Sequence, residues 1–412
     1  MGCLARLARL PLLHLKHTKV RFLISAGEAS GDMYAAGVVS ELSRRYPGAE
    51  FYGSAGPKLQ QAGVRPVMDF AKLNVVGLAE VAGHLPGIYR EYRKLIRFAE
   101  EQPPDAALLT DSPDFHLRLA RHLKRLKVPV FYLVAPQVWA WRPGRVKAIR
   151  DVVGKLFCLF PFEEAWFRDR GVDAIYIGHP LARMARIQTP RDQFFARHGL
   201  TQNATLLVLL PGSRVGEAGR HLPILLETVA KLRQEFAFSA IWTIPPAFQV
   251  HTLLTTFRER VRALSIQIIE NETWDCIGHA DLALAASGTV TVEAAVLGTP
   301  MITFYKVSPL SWWAGRRLVK VPFLSMVNLI ANREIVPELI QQDMTADNIA
   351  REAEELIANP ARAGRMRAEL EAVRLALRGE DDPFERAADG IVQALSGQST
   401  AQAASFLRSG EN

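Results

Sequence analysis

The chain has 412 residues, of which 49% are hydrophobic and 22% charged, and its formal net charge is +8 at pH 7. This length exceeds one ordinary core, so two domains are expected, and no apolar run approaches the ~20 residues of a membrane span. The three cysteines lie far apart, which excludes a disulfide framework or a CxxC zinc site, and the basic charge favours nucleic acid, anionic lipid or a phosphorylated substrate as partner.

Residues 1–18 are predicted to be an extension before the first domain. The stretch MGCLARLARLPLLHLKHTK is basic and leucine-rich, but Arg9, His14 and Lys16 interrupt its apolar part, so it makes a poor signal peptide. Three interpretations stay open: a frayed tail, a start codon placed too far upstream, or a helix lying on a membrane surface.

The next segment, 19–187, is predicted to be a Rossmann-like domain; that it binds the acceptor of a transfer reaction is what the family resemblance described below implies. Short apolar runs alternate with amphipathic helical segments, a pattern typical of parallel sheets with crossover helices. Helices are predicted at 33–46 and 115–126. Strands are predicted at 20–25, 50–52, 106–109, 130–134, 155–159 and 174–177.

A second Rossmann-like domain is predicted at 188–375, with strands at 206–210, 238–244, 266–269, 281–285 and 301–305. A C-terminal helix is expected at 376–396 and a disordered tail at 397–412. The fold class is therefore α/β, with two doubly wound domains facing a central cleft and a helical C-terminal segment. Because ligands bind at the carboxyl ends of parallel strands, the turns after the strands are where functional residues are expected.

Three strand-to-helix turns carry Gly and Ser where bare backbone N–H groups can meet an anion at a helix N-terminus. They read SAGEASGD (25–32), LLPGSRVGE (209–217) and AASGTVTVE (285–293). None matches a P-loop or a GxGxxG motif, so an ATPase or a dehydrogenase is not indicated. Each turn taken alone also fits ordinary helix capping.

The second and third turns are predicted to bind a nucleotide diphosphate. The groups expected to contact it are Gly212, Ser213, Arg214, Ser287, Gly288 and Thr289. A guanidinium beside backbone donors suits a diphosphate. If Thr289 begins a helix, Glu293 lies one turn further on the same face and can accept hydrogen bonds from a ribose; the alternative is an acid that only complements the helix dipole.

The candidate general base is Asp111, which follows the strand at 106–109 in DAALLTDSPDF. A positioned base contributes on the order of 10²–10⁴ in rate. Glu28 competes for this role, and a hydrogen-bonded acid that only holds a loop together is the alternative for both. Gln137 and Trp139 in VAPQVWAWRPGR are candidates for the acceptor side, where a tryptophan is either a core residue or a wall for a sugar or acyl chain.

Two segments suggest contact with a membrane. LSWWAGRRLVKVPF (310–323) combines tryptophans with arginines, which suits an anionic bilayer surface, although a buried helix with a basic edge fits nearly as well. NVVGLAEVAGHLPG (74–87) is apolar, interrupted by glycines and poorly helical, so a mobile lipid-facing loop is expected.

Taken together, these motifs resemble the lipid-A-disaccharide synthases, inverting glycosyltransferases of the GT-B architecture. Matching stretches run in order over residues 19–390: AGEASGD, FYGSAGPKLQ, DSPDF, PQVWAWR, FPFE, GHPLA, LLPGSR, SGTVTVEAAVLGTPM and NREIVPELIQ. The resemblance implies that UDP-2,3-diacylglucosamine is joined to 2,3-diacylglucosamine 1-phosphate, with release of UDP, in lipopolysaccharide biosynthesis. It also implies that Asp111 is the base and that Arg214 and Asn328 serve donor binding and activity.

This sequence departs from the family pattern at a few positions: Arg183 follows GHPLA where an Asp is usual, and Val327 and Asn332 replace a proline and a glycine. The resemblance implies a peripheral protein at the cytoplasmic face of the inner membrane, with an anionic membrane surface as partner. No metal or other cofactor and no nucleic acid is expected, and the oligomeric state stays open between monomer and homodimer. The rival functions are a UDP-sugar 2-epimerase and a non-catalytic nucleotide-sugar or lipid-binding protein.

Overall fold

A computed structural model describes residues 19–70, 78–245, 251–308, 312, 313, 319 and 321–409. The described residues form two compact units. The first holds those up to Pro180 together with those from Gly379 on, and the second runs from Leu181 to Arg378.

The first unit is built on a seven-stranded parallel sheet in the order β3-β2-β1-β4-β5-β6-β7. Its strands are β1 (Arg21–Ser25), β2 (Glu50–Ser54), β3 (Arg65–Met68), β4 (Ala106–Thr110), β5 (Val130–Leu133), β6 (Lys155–Cys158) and β7 (Ala174–Tyr176). The central strands β1 and β4 are buried along almost their whole length because helices cover both faces of the sheet. Strand β3 was not predicted, since RPVM is short, contains a proline and is half exposed.

Amphipathic helices connect these strands and bury their apolar faces on the sheet. They are α1 (Ala29–Arg45), α2 (Pro57–Gln61), α3 (Leu78–Glu101), α4 (Pro113–Arg125), α5 (Val138–Trp141), α6 (Val146–Val152) and α7 (Pro161–Arg168). A short 3₁₀ helix covers Pro143–Arg145.

The second unit has a six-stranded parallel sheet in the order β10-β9-β8-β11-β12-β13. The strands are β8 (Thr205–Leu210), β9 (Phe238–Ile244), β10 (Ile266–Glu270), β11 (Leu282–Ala286), β12 (Met301–Tyr305) and β13 (Glu338–Ile340). The helices are α8 (Leu181–Met184), α9 (Arg191–Arg197), α10 (Val215–Leu232), α11 (His251–Ala263), α12 (Thr273–His279), α13 (Thr289–Leu297), α14 (Met326–Ala331), α15 (Ala346–Ala358) and α16 (Pro360–Arg378). The expected doubly wound α/β class is confirmed in both units.

The last helix, α17 (Pro383–Ser409), packs on α1 of the first unit. Arg45 donates to Asp389 at 2.8 Å, and a Cβ at Gly37 would lie 2.7 Å from the Phe384 ring, so α17 sits directly on a glycine of α1. The chain returns to this unit through Gly379, whose φ of +64° ends α16.

Two expectations about the ends of helices are corrected. The segment at 376–396 is broken near Gly379, and the backbone stays helical to Ser409, where disorder was expected from 397; AQAASFL contains neither Gly nor Pro and favours helix. Residues 78–87 of the expected mobile loop are helical despite Pro86, because the helix they begin buries Leu95 and Ala99 in the core. The rest of that loop, 74–77, lies outside the described residues.

Candidate active site

Asp111 follows β4 directly, at the carboxyl edge of the first sheet. Its two carboxylate oxygens accept hydrogen bonds from the backbone N–H groups of Gly27 (2.8 Å) and Glu28 (3.1 Å), which follow β1. Strands β1 and β4 are neighbours in the sheet, so the turns that follow them meet here. The structure therefore brings together the two carboxylic acids that were candidates for the base.

Two glycines of the AGEASGD motif are needed for this close approach. A Cβ at Gly27 would lie 2.7 Å from Asp111 Oδ1, and one at Gly31 would collide with Oδ2. Real Cβ atoms do not approach an oxygen so closely, so any side chain at these positions would displace the carboxylate. The role of the glycines is to admit Asp111, in addition to forming a turn.

The backbone at Asp111 is left-handed, with φ of 52°, and that of Ser112 has φ of 36°. Such values cost a non-glycine residue about 1–3 kcal/mol and persist only where the surroundings enforce them. The Asp111 carbonyl accepts hydrogen bonds from His116 Nδ1 (2.9 Å) and from the Tyr132 hydroxyl. These two donors hold the strained turn in place.

His116 is fully buried, and its tautomer follows from its contacts. Nδ1 faces a carbonyl and must carry the proton, so Nε2 accepts from the Ser25 hydroxyl at 2.8 Å. Burial lowers the pKa of His116 to about 4, so the ring is neutral at pH 7. Sequence reasoning missed Ser25, His116 and Tyr132; the only available signal was a histidine on the apolar face of α4.

Electrostatics favour a basic Asp111 carboxylate. Burial, and secondly the nearby charge of Glu28, raise the pKa of Asp111 well above its usual value, against the opposing effect of the hydrogen bonds from Glu28, Ser112 and Gly27. A raised pKa makes the ionised carboxylate a stronger proton acceptor. The geometry and the charge at this turn thus suit a general base.

Two other acids near this turn have structural roles. Asp32 is buried and accepts from the backbone N–H groups of Lys58 (2.8 Å) and Leu59 (3.3 Å) at the start of α2. Asp114 is exposed on α4 and pairs with Arg145 at 2.5 Å.

Trp139 lies on α5 and packs against the core of the first unit. Its indole N–H donates to Glu163 at 3.1 Å, and Phe162 meets its ring edge-on with centroids 4.9 Å apart. Burial raises the pKa of Glu163 to about 7. The structure thus supports the core interpretation of Trp139, while Gln137 is exposed immediately before α5.

The turn after β8 carries the predicted diphosphate-binding residues. Gly212 has φ of +119°, and a Cβ there would lie 2.5 Å from the Glu217 carboxylate. Ser213 and Arg214 are exposed, and Arg214 immediately precedes α10. Burial raises the pKa of Glu217, and the Arg214 guanidinium and the amides of Ser213 and Arg214 act against this rise.

Glu217 therefore lies against the backbone amides of Ser213 and Arg214, which we expected to face a phosphate. The helix N–H groups that remain for an anion are those of Val215 and Gly216, since the first N–H groups of a helix lack intrahelical acceptors. His221 holds this turn in place. Its Nδ1 donates to the Pro211 carbonyl (2.7 Å), and its Nε2 accepts from the Lys306 N–H (3.1 Å).

The turn after β11 begins α13 at Thr289, as predicted. Ser287 is already engaged: its N–H donates to the Phe304 carbonyl (2.8 Å) and its hydroxyl to that of Leu324 (3.1 Å). Gly288 and Thr289 are exposed, and no side chain caps the helix. An anion would therefore meet Gly288 and Thr289 here, with Ser287 as their support.

Glu293 lies on α13 one turn after Thr289. Burial raises its pKa to about 7, and a hydrogen bond from Trp274 on α12 acts against this rise. The Trp274 bond fixes the side chain of Glu293 between two helices, in addition to any role toward a ribose.

Asn328 is completely buried and makes four hydrogen bonds. Its amide donates to the Val336 carbonyl (2.9 Å) and to Glu338 (2.8 Å), and its oxygen accepts from the N–H groups of Ile335 (2.8 Å) and Val336 (3.0 Å). This uses its hydrogen-bonding capacity. The side chain of Asn328 therefore positions the 335–338 segment, and its expected part in donor binding stays a prediction.

Glu338 links Asn328 to the exposed turn. Besides the Asn328 amide, it accepts from the N–H groups of Leu324 (2.8 Å) and Ser325 (3.0 Å), and the Leu324 carbonyl accepts from Ser287. The chain of contacts from Asn328 through Glu338 to Ser287 holds the start of α13 in place. Sequence reasoning missed Glu338.

Arg316, Arg317 and Lys320 of the tryptophan and arginine segment lie outside the described residues, whereas Trp313 is 59% exposed. Arg183, which replaces the usual Asp, is exposed on α8. Within the described ranges, no cluster of three or more His, Cys, Asp or Glu is arranged to hold a metal ion, and no helix is long and apolar enough to cross a membrane.

Comparison with known proteins points to one family. Residues 22–388 match the lipid-A-disaccharide synthetase family. A lipid-A-disaccharide synthase from Solibacter usitatus is 53% identical over 380 residues, which are 92% of this chain and 99% of that protein. One from Koribacter versatilis is 41% identical over 380 residues, which are 90% of this chain and 98% of that protein.

Solved structures share the fold at low identity. A UDP-GlcNAc 2-epimerase from Neisseria meningitidis, solved with UDP-GlcNAc, has a TM-score of 0.59 and 15% identity, over 92% of this chain and 99% of the other. A glycosyltransferase from Rickettsia africae has a TM-score of 0.57 and 12% identity, with the same coverage. At these identities the likeness establishes the GT-B type of fold alone.

Proposed function

Because this chain belongs to the lipid-A-disaccharide synthase family and is a glycosyltransferase of lipid A biosynthesis, we propose a division of its catalytic roles between the two units. The first unit supplies the general base, and the second binds the nucleotide part of the donor. The reaction joins UDP-2,3-diacylglucosamine to 2,3-diacylglucosamine 1-phosphate and releases UDP. The observation that carries the proposal is the strained, glycine-lined turn that holds Asp111.

Asp111 acts as the base in a single displacement. The acceptor's primary hydroxyl oxygen attacks the anomeric carbon of the donor as its proton passes to the Asp111 carboxylate. The bond from the anomeric carbon to the diphosphate oxygen breaks, and the configuration at that carbon inverts. The raised pKa of Asp111 supports this role, since a carboxylate near its usual pKa would accept a proton less readily.

Glu28 serves as the second carboxylate of this turn. Its backbone N–H already donates to Asp111, and its negative charge raises the pKa of Asp111. Its proposed effect is therefore to tune the base. Loss of Glu28 should weaken proton transfer less than loss of Asp111.

The leaving UDP is stabilised by Arg214 and by the N-termini of α10 and α13. One charged hydrogen bond is worth about 1.5–3 kcal/mol, and a helix end about 0.3–2 kcal/mol. Gly212 and Ser213 shape the first turn, and Gly288 and Thr289 form the second, supported by Ser287. Glu293, one turn along α13, is proposed to meet the ribose.

The donor is proposed to be a UDP-sugar and the acceptor a phosphorylated lipid, so the protein works at the inner face of the inner membrane as a peripheral protein. Gln137 lies on the unit that carries Asp111 and is proposed to contact the acceptor, with Trp139, which packs against the core two residues further on, as its support. A homodimer is compatible with this scheme but not required by it.

The test is mass spectrometry of products formed in detergent from UDP-2,3-diacylglucosamine and 2,3-diacylglucosamine 1-phosphate. The proposal predicts a tetraacyl disaccharide phosphate and one equivalent of UDP. A parallel reaction with UDP-N-acetylglucosamine alone tests the epimerase alternative. Epimerised sugar nucleotide without any disaccharide would overturn the proposal.

A further inference from the structure

Two arginines lie at the same edge of the first sheet as the proposed base. Arg142 and Arg145 follow β5 and the short helix α5, and Asp111 follows β4, which pairs with β5. The carboxyl ends of neighbouring parallel strands share one edge of a sheet, so the two segments meet there. They meet at Asp114, in the first turn of α4, whose carboxylate faces both arginines.

Asp114 balances only part of the charge of these arginines. Its Oδ1 accepts a hydrogen bond from Arg145 Nη2 at 2.5 Å, whereas its Oδ2 lies 4.0 Å from Arg142 Nη1, which is too far for a hydrogen bond. One carboxylate therefore faces two guanidiniums, and a positive charge is left over. The Arg142 side chain is 40% exposed and that of Arg145 is 29% exposed, so a ligand can reach both from solvent.

Both guanidiniums are held in place before any ligand arrives. Arg142 lies over the ring of Trp141, 4.1 Å from its centroid, and Trp141 is 36% exposed. The face of an indole ring attracts a cation in this position. Asp114 fixes the Arg145 side chain through their hydrogen bond. Because the side chains are already ordered, an anion that binds them costs little additional conformational entropy.

The cluster formed by these four residues also lies within electrostatic reach of the base. Burial chiefly raises the pKa of the Tyr132 hydroxyl, and the charges of Asp111 and Asp114 raise it further. Both acids thus act on the same hydroxyl, which donates to the Asp111 carbonyl. A group bound by the two arginines would therefore lie near the Asp111 carboxylate.

The chemistry of the acceptor matches this arrangement. A phosphate monoester carries a charge of about −1.5 to −2 at pH 7 and offers several oxygens to planar guanidiniums. In 2,3-diacylglucosamine 1-phosphate, the phosphate is on one of the two carbons that flank the ring oxygen, and the other carbon bears the primary alcohol group. When that hydroxyl meets Asp111, the phosphate lies only a few bonds away. The diphosphate of the donor is assigned to the second unit and does not compete for this position.

We propose that Arg142 and Arg145 bind the 1-phosphate of the acceptor and make the enzyme prefer the phosphorylated monosaccharide over its dephosphorylated form. Asp114 and Trp141 are positioning residues, which hold the two guanidiniums in place. The proposal rests on the proposed function, because that function places the acceptor hydroxyl at Asp111.

The test measures initial rates in detergent with two acceptors, 2,3-diacylglucosamine 1-phosphate and 2,3-diacylglucosamine, at saturating UDP-2,3-diacylglucosamine. Arg142→Gln and Arg145→Gln should each raise the KM for the phosphorylated acceptor about 10- to 100-fold, since each removes a charged hydrogen bond. The kcat/KM for the unphosphorylated acceptor and the KM for the donor should stay unchanged. Arg142→Lys keeps the charge but loses the fork of donors, so its KM for the phosphorylated acceptor should rise less.

Arg150→Gln on α6 is the matched control. Arg150 is 49% exposed in the same unit and lies 4.0 Å from the carboxylate of Asp151, which matches the longer separation in the cluster. It belongs to the last turn of α6, which leads to the amino end of β6, away from the edge that carries Asp111. The preference of this variant between the two acceptors should equal that of the wild type.

Equal losses with both acceptors in Arg142→Gln would overturn the proposal, because the arginine would then serve the fold or the base and not the phosphate. An unchanged KM for the phosphorylated acceptor would overturn it too. Inorganic phosphate that competes with the acceptor as tightly as the acceptor itself binds would assign the arginines to free phosphate instead. Melting curves check that each variant folds as the wild type does.

Acceptor binding measured by calorimetry in the same detergent, without donor, separates the phosphate site from the proposed function. Wild-type protein that makes no disaccharide but binds the phosphorylated acceptor more tightly than the unphosphorylated one, with the difference lost in Arg142→Gln, would remove the proposed function and leave the phosphate site standing. Disaccharide made equally well by wild type and Arg142→Gln would keep the proposed function and remove the phosphate site. Wild-type binding that is the same for both acceptors would remove the phosphate site as well.

Discussion

Removing the hydroxyl of Tyr132 tests whether the strained turn serves catalysis. Tyr132 donates to the Asp111 carbonyl, and Tyr132→Phe removes that donor without opening a cavity. The buried carbonyl keeps only the His116 donor, which costs about 1 kcal/mol. The left-handed backbone of Asp111, with φ of 52°, depends on these donors. The conformation in which the Asp111 carboxylate is aligned for proton transfer therefore becomes less stable by the same amount.

The expected result is a fall in kcat of roughly five- to tenfold, with the KM for the UDP-sugar little changed. The melting temperature should fall by about 2–4 °C. The control is Tyr52→Phe, which removes a buried hydroxyl that donates to the Gln102 carbonyl at 2.8 Å in the same unit. It should lower the melting temperature similarly and leave kcat unchanged.

Initial rates of UDP release at saturating acceptor, with melting curves of the same preparations, decide the matter. If Tyr132→Phe and Tyr52→Phe lower stability equally and neither changes kcat, the hydrogen bonds at Asp111 are only structural and the reasoning is wrong.

Three further predictions follow from particular contacts. Gly31→Ala should lower kcat at least 100-fold, because its Cβ would displace the Asp111 carboxylate, whereas Gly87→Ala on α3, whose Cβ meets nothing within 4 Å, should be active. Asn328→Ala should lower the free energy of unfolding by roughly 2–4 kcal/mol in denaturant titration, since it leaves buried groups of the 335–338 segment unpaired. It should also weaken UDP binding measured by calorimetry. Normal UDP affinity would contradict the link between Asn328 and the α13 turn. The pKa of Glu163 is about 7 in the folded protein, above its ordinary 4.5, so its contribution to stability is fully present below about pH 4.5 and is lost as the pH rises through 7. Glu163→Gln should therefore flatten the fall in unfolding free energy between pH 5 and pH 8. An unchanged slope would refute the raised pKa of Glu163.

Much of the fold could be predicted because it depends on local patterns. Apolar runs such as the one at 206–210 alternate with amphipathic helices, and this periodicity alone specifies parallel sheets. Strands β3 and β13 were missed because four and three residues carry too little pattern. The helix α17 continues beyond 396, although the composition of the tail predicts disorder, because the alanines of the tail favour helix.

The candidate site was predictable only in part. Asp111 and the glycines around it stand in recognisable turns, so their positions could be inferred from the sequence. The partners His116, Tyr132 and Glu338 could not, because each acts through a contact with a residue distant in the chain or through a backbone carbonyl. The complete burial of Asn328 could not be predicted either, because its motif is visible in the sequence and its packing is not.

The most direct test of the central claim compares Asp111→Asn and Glu28→Gln with wild type in disaccharide synthesis, with UDP affinity measured by calorimetry. The account predicts that Asp111→Asn lowers kcat by at least 100-fold, that Glu28→Gln lowers it less, and that both bind UDP normally. Near wild-type turnover by Asp111→Asn, or a larger loss in Glu28→Gln, would contradict the assignment of Asp111 as the base.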